Sequence, residues 1–233
     1  MNAVPTPTAL PDLPPPPGDG LPSLCTAVPG PATREWLGRL ARVEAPGLTA
    51  ISSEFPLVWA CARGGCVVDV DGNRFLDATA AFGVAFVGHG HPRVVAAARR
   101  QAEQLVHGMG DVHPPAARIA LLEALGEWMG RTGSGDPLGH AMLCTGGSEA
   151  VEIALKTALL ATGKAGIIAF EGGYHGLGTG ALEVNGRPSF RDPFAAMLAG
   201  NARLCPWPAD EAAVGGALRA VDRALDAAAN DGK

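Results

Sequence analysis

Apolar residues recur along this chain with two different spacings. In "ATREWLGRLARVEA" (32–45), Trp36, Leu37, Leu40 and Val43 recur at helical spacing and predict a helix with one apolar face. The next stretch, "PLVWACARGGCVVDVDGNRFLDAT" (56–79), breaks short β-type runs at Gly64-Gly65 and Asp71-Gly72. Those dipeptides permit the positive φ of tight hairpin turns, so a three-stranded meander is expected. Helical spacing returns in "GHGHPRVVAAARRQAEQLVH" (88–107), where Pro92 suits a first helical turn because its missing N–H costs nothing there. Val94, Val95, Ala98, Ala102, Leu105 and Val106 form the stripe expected to be buried. A further helix is predicted over about 116–129.

Beyond residue 140 the pattern alternates. "HAMLCTGG", "AGIIAFEGG" and "ARLCPWP" are short apolar runs, predicting strands over about 141–146, 166–171 and 203–207. Helices are predicted between and after them, over 149–161 with Gly163 closing, and over about 210–229. Such alternation implies parallel strands joined by crossovers. The fold class read from the chain is therefore α/β, a mainly parallel sheet with flanking helices behind a small N-terminal β-meander. Ahead of all this, residues 1–31 hold ten of the twenty prolines and are expected to be an extended, solvated arm.

Composition narrows the partners. The chain has 233 residues, enough to bury a core in one domain or two, with 47% apolar and 18% charged residues. Its net charge is −5 with no Lys/Arg cluster, which excludes nucleic acid and anionic membrane as expected partners. The longest apolar stretch, 78–88, is too short to span a bilayer. Five cysteines without a CxxC, behind an N-terminus with neither basic residues nor an apolar run, predict a reducing, cytoplasmic setting. Cys61 and Cys66 flank the first meander turn and could face each other as thiols. His89 and His91 stand two apart and would share a face in an extended segment. Without a third ligand at helix spacing, hydrogen-bonding roles at the start of the helix are expected of them, and no metal site.

The candidate chemistry lies in "CTGGSEAVEIALK" (144–156), two glycines and a serine directly ahead of an amphipathic helix. The end of a strand followed by such a turn is where α/β sheets bind ligands. Glycine allows close approach of backbone, the first helical N–H groups are unpaired donors, and Ser148 adds a hydroxyl. Neither GxxxxGK[ST] nor GxGxxG is present, so a small phosphate cup is one reading and a plain turn the other. Tyr174, the one tyrosine, follows the next predicted strand and would share that sheet edge. Its ring could stack on a planar cofactor or pack on its own loop glycines.

Three blocks, "GNRFLDATAAFGVAFVGHGHPRVVAA", "GGSEAVEIALKTA" and "FEGGYHG", stand in the order and spacing of the class III, or omega-type, aminotransferases. The resemblance implies the N-terminal part of the large pyridoxal-phosphate transferase (aspartate aminotransferase-like) fold. It divides the chain into the Pro-rich arm 1–31, a small-domain segment with the meander at 32–92, and an incomplete cofactor-binding large domain at 93–233. It implies pyridoxal 5'-phosphate as cofactor, its phosphate held by Gly147 and Ser148. Tyr174 would stack on the pyridine ring, His175 would sit beside it, and Phe82 would wall the substrate pocket. The activity implied moves an amino group between an amine or amino acid and a keto acid or aldehyde, in a homodimer with the site at the subunit interface. A decarboxylase or aminomutase on the same scaffold, or a non-catalytic pseudoenzyme, are the alternatives.

Two departures qualify the resemblance. Amino transfer needs a lysine amine to hold the cofactor as a Schiff base and move the proton. This chain has Lys156, Lys164 and Lys233, and none stands where the family's catalytic lysine is expected. No catalytic residue is therefore assigned, and the chain reads as the front portion of a longer enzyme. Second, relatives that use 2-oxoglutarate commonly carry Arg directly after "HG", where this chain has Leu177. Leucine cannot supply the bidentate fork that a carboxylate takes from a guanidinium.

Overall fold

A computed structural model describes residues 21–110, 112–132 and 140–230. The chain divides after His113 into two compact units.

The first unit contains helix α1 (Pro31–Val43), strands β1 (Trp59–Arg63), β2 (Cys66–Asp69) and β3 (Arg74–Leu76), and helix α2 (Pro92–Gln104). The strands form the expected antiparallel meander in the order β1-β2-β3. β2 is central, and Val67, Val68 and Asp69 are buried on it. Asn73 is fully buried beside them. Its side-chain oxygen accepts the N–H groups of Cys25 (2.7 Å) and Thr26 (2.9 Å), and its amide donates to Thr26 Oγ1 and Asp69 Oδ2. Residues 23–26 are thus tied to the meander, while the side chains of residues 21–25 stay exposed. Ser23 pairs with Arg74 at the edge of β3, because those backbone groups find partners there. Residues 1–20 lie outside the described residues.

α1 begins after Gly30, which has no side chain to cap it. Asp71 supplies the cap from the meander, accepting the N–H groups of Ala32 and Thr33 at 2.8 Å each. Cys66 lies opposite Arg63 and Cys61 opposite Val68, so the two cysteines share one face of the hairpin as diagonal neighbours. A two-residue turn sets that register. The apolar stripe of α2 is not buried: Val94, Val95, Ala98 and Ala102 are exposed, and Leu105 and Val106 lie beyond the helix end. Val43 on α1 is likewise exposed. Periodicity selects a face, but burial needs an opposing element, and the described residues of this unit place none there.

The second unit contains α3 (Ala116–Thr132), α4 (Gly147–Thr162), β4 (Ile167–Phe170), α5 (Thr179–Glu183), α6 (Pro188–Arg191), a 3-10 turn (Asp192–Met197), β5 (Ala202–Cys205) and α7 (Glu211–Asn230). β4 and β5 are parallel, with Ile167 opposite Ala202 and Phe170 opposite Cys205. α7 packs on β5, and α5 packs on α4. Ala169, Ala181, Leu182, Val184, Cys205 and Ala217 are buried. Glu183 is buried too, and its carboxylate accepts the N–H groups of Ala199, Asn201 and Ala202 where the chain turns into β5. Gly163 ends α4 in the left-handed conformation, φ 70°.

The strand expected over 141–146 is absent. Residues 140–144 have no regular structure, and Met142 and Cys144 are exposed. A parallel strand exists through the ladder of a neighbour, and β5 is the one strand paired with β4 among the described residues. No helix among the described residues is long and apolar enough to cross a membrane.

Candidate functional site

The site is built on the first turn of α4. Ala150 is the first residue whose N–H bonds within the turn, to the Gly146 carbonyl at 3.1 Å. The N–H groups ahead of it have no carbonyl one turn back, and the helix dipole makes this end positive. Thr145 directs both its N–H and its hydroxyl to the Glu149 carboxylate at 2.7 Å. That backbone N–H first, and then the hydroxyl, hold the Glu149 carboxyl below its usual range. Ser148 Oγ accepts the Gly178 N–H at 3.0 Å, which leaves the hydroxyl proton to be donated elsewhere.

The opposite wall is the loop after β4. Tyr174 is half-exposed and meets Phe190 edge-on at 5.3 Å, while the Arg187 guanidinium lies 5.7 Å from its ring centre. Arg187 Nε donates to the Gly172 carbonyl at 2.9 Å. Asn185, fully buried, donates to the Gly176 carbonyl at 3.2 Å and accepts the Arg187 N–H at 3.0 Å. Gly176 lies directly on α4. Its φ is +114°, and a Cβ added there would stand 2.5 Å from Ser148 Oγ.

Together these elements line an open pocket of about 530 Å³. Gly147, Ser148, Tyr174 and His175 all line it, with Val151 and Leu177 as apolar neighbours. The four residues singled out in the sequence are therefore brought together. Phe82 belongs to the other unit, where it is almost fully exposed. It sits in a left-handed run with φ of 47°, 48°, 56° and 86° at Ala80, Ala81, Phe82 and Gly83. Asp77 holds that run, accepting from the Thr79 hydroxyl (2.7 Å) and the Ala81 N–H (2.9 Å) and meeting His89 Nε2 at 2.7 Å. The Thr79 hydroxyl, followed by His89, keeps the Asp77 carboxyl below its usual range. His89 thus has the hydrogen-bonding role expected of it. His91 precedes α2 without a side-chain cap bond. Among the described residues no three His, Cys, Asp or Glu side chains group as metal ligands.

Lys156 and Lys164 line a separate cavity of about 460 Å³ and not this pocket. Lys233 lies outside the described residues. Sequence reasoning overlooked Glu152 and Asn185, which fix the loop without lining the pocket. A signal for Glu152 was present: it stands one helical turn after Ser148, and glycines alternate at 176, 178 and 180.

A family model described as aminotransferase class-III matches residues 49–227. The chain belongs to the class III aminotransferases. Acetylornithine aminotransferase of Methanopyrus kandleri is 35% identical over 175 residues, covering 75% of this chain and 41% of that protein. 2-Aminoadipate transaminase of Pseudomonas putida is 36% identical over 179 residues, again covering 75% and 41%. The chain thus spans about two fifths of the length of these relatives. Among solved structures, an (S)-enantioselective omega-transaminase from Thermomicrobium roseum superposes with a TM-score of 0.71 at 24% identity, over 83% of this chain and 46% of that one. A pyridoxal-phosphate-bound amine transaminase from an uncultivated Pseudomonas species gives 0.68 at 22% identity, over 79% and 45%. The expected fold is borne out: this class III chain carries part of the aspartate aminotransferase-like fold.

Proposed function

We propose that this chain provides the phosphate- and ring-holding part of a pyridoxal-phosphate-dependent aminotransferase that moves an amino group between an amine or amino acid and a keto acid. The observation that carries the reading is the convergence of Gly147, Ser148, Tyr174 and His175 on one pocket at the first turn of α4. The donor set suits a phosphate, with backbone N–H groups, a positive helix end and a serine hydroxyl whose oxygen is already engaged. The ring of Tyr174 suits the planar pyridine. When bound, the cofactor supplies the electron sink that lets an amino group leave one carbon and join another. The chain's own residues bind the phosphate, orient the ring and cover one of its faces. Phe82 walls the substrate side, a role supported by its exposed aromatic ring in a strained, well-tied loop. The exposed Phe82, Val84 and Phe86 support homodimerisation through that loop. Cysteines present as thiols support a cytoplasmic setting.

A second reading, a decarboxylase or aminomutase on this scaffold, is favoured by Leu177. It lines the pocket, and no Lys or Arg does so among the described residues. The test is a titration of the protein with pyridoxal phosphate, followed by product analysis with amino acids and amines. Transamination products are expected where a Schiff-base lysine is supplied together with this chain, and with or without it Tyr174→Ala and Ser148→Ala should each weaken cofactor binding by roughly tenfold. CO2 release or isomerisation would select the second reading. Unchanged cofactor affinity in both variants would remove the assignment of the pocket.

A further inference from the structure

Glu152 follows Ser148 by four residues on α4, so the two side chains project from one helix face. Ser148 Oγ accepts the N–H of Gly178, and Glu152 Oε1 accepts the N–H groups of Gly180 (2.6 Å) and Ala181 (3.0 Å). The last two amides belong to the first turn of α5, whose N-cap, Gly178, has no side chain to satisfy them. Glu152 therefore caps α5 from a different helix, and its carboxylate complements the positive end of α5. The glycine spacing fits this contact. An added Cβ would stand 2.8 Å from Glu152 Oε1 at Gly178 and 2.8 Å from Oε2 at Gly180. Alternate residues from 176 to 180 are glycine because that edge of the loop lies against α4. Lys156 Nζ is 4.0 Å from Glu152 Oε2 and largely in water, so this ion pair adds little.

We propose that Glu152 is the positioning residue of the pocket. Without lining it, its carboxylate clamps residues 178–181 onto α4, and so fixes where the Ser148 hydroxyl, Tyr174 and His175 stand relative to the first amides of α4. The role rests on reading the pocket as a phosphate and ring site. Both partners are backbone amides, so the clamp consists of hydrogen bonds that the carboxylate charge strengthens. Glutamine at this position keeps an oxygen that can accept both bonds.

The test combines hydrogen–deuterium exchange of the cofactor-free protein with equilibrium binding of pyridoxal phosphate. In Glu152→Ala the amides of Gly178, Gly180 and Ala181 should exchange about tenfold faster or more, because hydrogen bonds to a charged acceptor are lost. The dissociation constant for pyridoxal phosphate should rise by roughly tenfold, as expected if one such bond is forfeited in ordering the loop. Glu152→Gln should restore both readouts to within about threefold of the parent, since one acceptor oxygen remains. Lys156→Ala should change neither. Exchange and binding in Glu152→Ala indistinguishable from the parent would overturn the proposal. So would equal losses in Glu152→Gln and Glu152→Ala, or faster exchange spread evenly through α7, which would make Glu152 a general stabiliser. If the parent binds no pyridoxal phosphate while loop exchange still responds to Glu152→Ala, the clamp stands and the phosphate reading falls.

Discussion

Replacing Gly176 by alanine tests the contact on which the pocket depends. Gly176 has φ +114°, a region that costs an L-residue about 1–2 kcal/mol. The added methyl would also meet Ser148 Cβ and Oγ at 2.5 Å and Ser148 Cα at 2.8 Å. The Cα belongs to the first turn of α4 and cannot swing aside, so the loop must lift. Lifting forfeits the Gly178 N–H bond to Ser148 Oγ, worth about 1 kcal/mol. The sum is about 2–3 kcal/mol, measured as the loss of unfolding free energy in urea. Gly172 supplies the control, since its φ is +77° and a Cβ there would meet nothing within 4 Å. Gly172→Ala should therefore show the conformational cost alone, about 1–2 kcal/mol. It should keep more of the pyridoxal-phosphate affinity than Gly176→Ala does. Equal destabilisation and equal affinity in the two variants would refute the close approach of loop and helix.

Two further outcomes concern the first unit. Asn73→Ala should cost about 2–4 kcal/mol in urea unfolding, because it strands the Cys25 and Thr26 N–H groups and one bond of Asp69. A loss under about 0.5 kcal/mol, typical of surface substitutions, would show that the network does not hold residues 23–26. Asp77 is held below its usual range by the Thr79 hydroxyl and then by His89. A depressed folded-state pKa contributes stability that is complete above the usual carboxylate range, near ~3.9, and lost as pH falls through the folded value. Thermal melts should therefore fall more steeply between about pH 5 and pH 2 for the parent than for Asp77→Asn, and parallel curves would contradict the pairing.

Local chemistry was legible in the sequence wherever it is decided within a few residues. Gly64-Gly65 and Asp71-Gly72 marked the two turns of the meander, where Gly64 and Gly72 have positive φ. The first turn of α4 and its close at Gly163 were likewise written in "TGGSEAVEIALKTALLATG". The family was legible because three blocks in fixed order carry it. Tertiary structure decided what depends on distant partners. Among the described residues, 141–146 have a strand's composition but no ladder, and the stripe of α2 has periodicity but no opposing face. Glu152 reads in sequence as one more exposed helix carboxylate, and becomes the cap of α5 once the loop lies against it. Asn73 and Asn185 carry no mark in the sequence, yet burial, the Thr26 N–H 47 positions from the first and the Gly176 carbonyl 9 positions from the second give them their roles. A side chain's type fixes what it can bond, and the fold fixes which partners come within 3 Å.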